Sequence, residues 1–77
     1  MVCELDRVVL TTHLPSLGLE AGDIGTVVLV HEGGKGFEVE FVTLGGDTLA
    51  VTTLTADDVR PVDKNEIAHA RRPVAAA

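Results

Sequence analysis

Gly18–Phe41, GLEAGDIGTVVLVHEGGKGFEVEF, is the stretch whose reading decides the fold. Ile24–His31 is an almost unbroken apolar run of strand length. Gly36–Thr43 alternates strictly, with Phe37, Val39 and Phe41 on one side and Glu38 and Glu40 on the other. Between them, Glu32-Gly33-Gly34-Lys35 reads as a hairpin turn, glycine supplying the positive φ angles that other residues resist. A strand apolar on both faces is one that bends across a small barrel or lies against another surface. Gly25 within it suits a bulge or a sharp coil, where a side chain would clash.

Working outward, Leu5–Thr11 (LDRVVLT) is rich in β-branched residues and reads as strand one. The stretch that follows is punctuated by Pro15, Gly18 and Gly22, too broken for a helix; Leu14, Leu17 and Leu19 make it a loop that packs back on the domain. After the second glycine turn, Leu44–Asp47, strand four is expected over Thr48–Thr53 with Leu49 and Val51 inward. Thr55–Asp58 is expected to form a helical turn capped by its own side chains. Val59–Val62 closes the domain as a short strand, with Pro61 placing it on an edge. The expectation is an all-β fold: a small five-stranded SH3-like barrel spanning residues 1–62, with a long first loop and a short helical turn before the last strand. Closure of the barrel would remove most exposed sheet edges. Residues 63–77 form a C-terminal tail, frayed or a short helix, with Ile67 and Ala70 as its one apolar stripe.

The chain has 77 residues, 45% of them hydrophobic, with two Phe and neither Trp nor Tyr. A domain this short has a thin core. One cysteine, Cys3, rules out an internal disulfide and a thiolate zinc cluster, and a reducing, cytoplasmic setting is the default. No apolar run approaches the roughly 18 residues of a membrane helix, so the chain is expected to be soluble. The formal charge of −6, from 12 acidic and 6 basic residues, disfavours nucleic acid as a partner. Up to Val62 the cations are Arg7, Lys35 and Arg60, too scattered to track phosphates.

Certain residues resemble a family pattern: Leu5, Asp6, Val8 and Leu10; Leu14-Pro15; Gly18-Leu19; Gly22–Val28; Val39–Phe41; and Leu54 through Val62. Together, over residues 5–62, they are similar to the bacterial domain of unknown function 4926. Gly22–Val27 alone is also similar to KOW modules and to barrel domains of nitrile hydratase β-type subunits. The resemblance implies the barrel. It brings no established catalytic residues, so none are carried over.

His13, His31 and His69, with Cys3, are the soft metal ligands, and none shares ligand spacing with another, so no metal site is expected. Glu38 and Glu40 point the same way from one strand and Asp57-Asp58 cap a turn; both pairs are explained as solvated acids without catalysis, and no cofactor is implied. Gly33–Gly36 (GGKG) joins two strands rather than opening a helix, so it is no phosphate loop. With both Phe residues inward, nothing is left to build an aromatic groove, a methyl-lysine cage or a base-stacking platform.

What remains is contact through apolar surface and sheet edges. Val28, Leu29 and Val30 are the candidates for an exposed patch, and Glu38, Glu40, Asp57 and Asp58 for an acidic face turned to a basic protein. The expected function is a non-enzymatic protein–protein interaction module: antitoxin- or immunity-like, or accessory to an enzyme, with self-association through strand two or an open edge. The alternative is a KOW-like module contacting RNA through Lys64, Arg71 and Arg72.

Overall fold

The computed structural model describes residues 2–73. Among them, the strands are β1 (Arg7–Leu10), β2 (Ile24–His31), β3 (Gly36–Val42), β4 (Thr48–Leu54) and β5 (Val59–Pro61). They form one antiparallel sheet in the order β4-β3-β2-β1-β5. The all-β expectation holds.

The two ends of this sheet are joined by the turn Thr55–Asp58. In a flat sheet β4 and β5 would lie four strand spacings apart, about 19 Å. The five peptide steps from Leu54 to Val59 reach only about 17 Å at full extension. They are also folded: the Asp58 amide donates to the Thr55 carbonyl at 3.0 Å, and the Asp58 carboxylate accepts from the Thr55 amide and hydroxyl at 2.9 Å each. The sheet must therefore curl until its ends approach. Among the described residues no ladder joins β4 to β5, so the curl is present and the backbone closure expected of a barrel is not. The connection is a hydrogen-bonded turn rather than the expected helical one.

The concave side holds the core. Val8 and Leu10 of β1, Val27 of β2, Phe37, Val39 and Phe41 of β3, Leu54 of β4 and Val59 of β5 are buried together with Leu19. Leu19 comes from the first loop, which does fold back: a 3₁₀ turn at Pro15–Leu17 and paired amide–carbonyl bonds between Leu14 and Leu19 bring Leu14, Leu17 and Leu19 onto the core. The stretch is too broken for a longer helix, but proline at the start and Gly18 in the left-handed region at the end suffice for one 3₁₀ turn.

Gly25 sits opposite Val8, where a Cβ would lie 2.5 Å from Val39 Cγ1 and 2.9 Å from Phe41 Cε1. The clash inferred from sequence is real, but the bulge falls three residues later, where Val28 is inserted in β2 between the Val27–Val39 and Leu29–Glu38 pairs.

β1 is shorter than expected at its start. Leu5 adopts φ 71° and is exposed, the Asp6 amide donates to the Cys3 carbonyl, and pairing begins at Arg7.

β4 differs most from the sequence reading. Ala50, Thr52 and Leu54 pair with Phe41, Val39 and Phe37, all inward, so Leu49 and Val51 point outward. The small residues Ala50 and Thr52 lie opposite Phe41 and Val39, Leu54 is buried opposite Phe37, and Leu49 and Val51 are left in solvent.

No helix forms in residues 63–73. Arg60 donates to both oxygens of Glu66, at 2.7 and 2.6 Å, and Arg71 Nε donates to Asp23 Oδ1 at 2.8 Å. Arg71 Nη2 adds a bond to the Gly18 carbonyl at 3.0 Å, and Glu20 Oε2 lies 2.9 Å from Arg71 Nε. The expected end of the tail, Val74–Ala77, lies outside the described residues.

Candidate functional site

The convex side of β2, β3 and β4 is where unburied apolar side chains gather. In β2 the inserted residue sends both Val28 and Leu29 outward opposite Glu38, at 41% and 43% exposure. In β4, Leu49 and Val51 are 39% and 53% exposed. Val42 ends β3 on the same exposed terms, and Leu44 stands fully in solvent at the tip of the β3–β4 hairpin. Two apolar strands thus flank a central strand carrying Glu38 and Glu40.

Those carboxylates are not free charges. Glu38 accepts from the Thr53 hydroxyl and pairs with His31 Nε2 at 2.8 Å. The Thr53 hydroxyl first, then His31, holds its carboxyl below the usual range, against a smaller opposing effect of burial. Glu40 accepts from the Thr48 hydroxyl at 2.9 Å. Their aliphatic stems lie in the middle of the face while their oxygens reach threonines of β4, so the surface is more apolar than its sequence suggests.

The other candidate residues are dispersed. Val30 pairs with Phe37 and packs against the core, so it does not join Val28 and Leu29 on the outside. The Asp58 carboxylate is engaged in the Thr55 turn, and the Asp58 carbonyl receives the Thr11 amide. Asp57 is exposed on that turn, away from the β2–β4 face, and its carbonyl accepts from the Thr11 hydroxyl. The structure therefore does not bring the four acids together.

Sequence reasoning missed Leu49 and Val51 as surface residues. Only the register with β3 reveals them, since TLAVTTL carries apolar residues in both phases. It also missed the use of Arg71. That guanidinium is occupied by Asp23, Glu20 and the Gly18 carbonyl, and Asp23 is held below its usual range: burial raises its pKa, but the Arg71 bond, the Glu20 amide and the Arg71 charge together outweigh it. The basic cluster invoked for RNA thus loses its most buried member to internal contacts.

Among the described residues no three of His, Cys, Asp and Glu converge to hold a metal ion. His13 Nδ1 accepts the Ala21 amide at 3.2 Å, while His31 faces Glu38. A shallow open depression of about 430 Å³ is lined by Val2, Phe37, Ala56, Val59, Pro61 and the Gly33-Gly34 backbone. It presents no titratable side chain, offering a ligand only apolar surface and peptide groups. Among the described residues no helix is long and apolar enough to cross a membrane.

No curated protein and no solved structure matches the chain. One family does: its pattern covers residues 4–61, from the turn before β1 to the last residue of β5, and takes in the whole sheet and the first loop. The chain belongs to the family described as Domain of unknown function (DUF4926).

Proposed function

We propose that the chain is a non-enzymatic protein-binding module that docks through the convex face of β2, β3 and β4. The observation that carries this reading is the exposure, on one side of the sheet, of Val28 and Leu29 from β2 with Leu49 and Val51 from β4. Contiguous apolar area on a small domain marks an interface far more often than it marks idle surface. Glu38 and Glu40, set between the two apolar strands, give the face polar groups that orient a partner without dominating its affinity.

An antitoxin-like role led by acids gains less support, because Asp58, Glu38 and Glu40 already have internal partners and Asp57 stands apart. A KOW-like contact with RNA loses support through Arg71. The favoured partner is a protein with an apolar contact surface, met in the cytoplasm.

The reading is tested by co-expressing the chain with the products of its neighbouring genes and purifying what assembles. Val28→Glu with Leu29→Glu should abolish the complex while leaving the melting temperature of the free domain within a few degrees. Asp57→Asn should leave the complex intact. A complex that survives the double substitution overturns the proposal.

A further inference from the structure

The convex face ends at an open sheet edge, and we infer that a second copy of this chain docks there, β4 against β4, in antiparallel register. The inference rests on the reading of the β2–β4 face as an interface and names the occupant of its free border.

β4 is seven residues, TLAVTTL, with no charge, no proline and no glycine, and among the described residues it pairs with β3 alone. Every second residue of such a strand turns its amide and carbonyl away from its one neighbour, leaving a row of unpaired backbone groups that templates another strand. Proteins ordinarily blunt such edges with lysine, proline, a bulge or a covering segment, and β4 has of these a bulge at Leu49, near its start. β5 has these protections: it is three residues long, it contains Pro61, and the chain after it returns over it.

Self-pairing satisfies three requirements at once. Antiparallel residues directly opposite share a face, so a two-fold contact must set a residue against itself. Centring on Val51 pairs Leu49–Thr53 in both copies, with Val51 facing Val51 and Leu49 facing Thr53, while Thr48 lies beyond the bulge at Leu49. Leu49–Thr53 carry no charge, so two chains of formal charge −6 join without opposing like charges within the paired stretch. The outward Leu49 and Val51 of both copies then meet, and the two convex faces merge across the new seam. An extended segment of a different protein could satisfy the backbone, but nothing in β4 selects its side chains, whereas the register above is complete with this chain alone.

Light scattering after size exclusion should give twice the 8.1 kDa chain mass at high concentration and a reversible fall toward it on dilution. Val51→Lys sets two ammonium groups face to face on the seam and should raise the dissociation constant at least about tenfold with the circular dichroism unchanged. Val28→Lys, two strands from the edge, should leave the self-association intact. Hydrogen exchange of the unmodified chain gives an independent reading: alternate β4 amides should gain protection as concentration rises. The inference is overturned by a monomer at all concentrations, by a dimer indifferent to Val51→Lys, or by β4 amides whose protection ignores concentration. Those outcomes spare the proposed face, which falls only if the Val28 and Leu29 substitutions release no partner.

Discussion

β5 and β4 terminate the same sheet and are finished in opposite ways. At the β5 end, Arg60, Val9 and Ile24 form one rung on the convex side, and the Arg60–Glu66 and Arg71–Asp23 pairs anchor the returning chain at its two ends. Segment 66–71 therefore crosses the rung like a strap. Val9 is 7% exposed although it is absent from the interior core, which is what a strap over the convex side of β1 produces. At the β4 end no segment returns among the described residues, and Val51 on the same side of the sheet is half in solvent. Val9 is thus covered at one end, although Ile24 of the same rung stays 40% exposed, while Val51 is bare at the other. Shielding is within its means, so the bare end reads as kept for contact.

The comparison depends on the curl that carries both edges round a common core, and Gly25 makes that curl possible. Gly25→Ala would press a methyl into Val39 and Phe41, and the neighbours are core side chains with little room to yield. A loss of about 3 kcal/mol is expected, the upper range for overpacking. It should appear in chemical denaturation as a lower midpoint, with both edge strands losing exchange protection together. A near-neutral substitution would mean that the sheet can flatten, and the two ends would no longer be comparable.

How much of this was legible in the residues follows from what each element depends on. The alternation of Phe37, Val39 and Phe41 and the glycine turns are local signals, and the strands they imply are present. The phase of β4 is not local: Leu49, Ala50, Val51 and Leu54 allow either face inward, and hydropathy favours the wrong one. It is decided by the pairing with β3, which sets Ala50, Thr52 and Leu54 opposite the inward Phe41, Val39 and Phe37. Half of the candidate face was therefore hidden until the register was known. The strap was equally hidden, because an arginine forty-eight positions from Asp23 carries no spacing that betrays the pair. The exposure of Val28 and Leu29 was legible, because an apolar run in both phases must leave something outside.

The two edges can be made alike from either side. Supplying β4 with a charge, as in Val51→Lys, should remove the concentration dependence of thermal unfolding: the unmodified chain should melt higher as concentration rises, by mass action, and the variant at one temperature throughout. Removing the protection of β5 should do the converse. Arg71→Ala deletes contacts to two carboxylates and a carbonyl at a partly exposed site, an expected loss of about 1 kcal/mol. Its sharper consequence is exposure of Val9 and Ile24. In a Val51→Lys background, Arg71→Ala should restore some self-association, now through the β5 end. If the double variant stays monomeric with the exchange near Val9 unchanged, the segment is no strap.

Acid should distinguish the ends with no substitution at all. Glu66 is held down to about 2 from an ordinary 4.5, chiefly by its bonds from Arg60 and the Asp63 amide, and Asp23 is lowered from 3.8. A depressed carboxyl binds fewer protons with the strap closed than open, so its contribution is complete above about pH 4.5 and disappears as pH falls toward 2. β4 holds no titratable group of its own. Glu38 and Glu40 of β3 reach its threonines, Asp47 precedes it, and Glu38 is also depressed, through Thr53 and His31. Amide exchange followed from pH 6 to 2.5 and corrected for intrinsic rates should show protection lost first at Val9 and Arg60, with the β3–β4 ladder following later. Simultaneous loss at both ends would mean that acid opens the sheet as a whole, and that the strap adds nothing separable to the β5 edge.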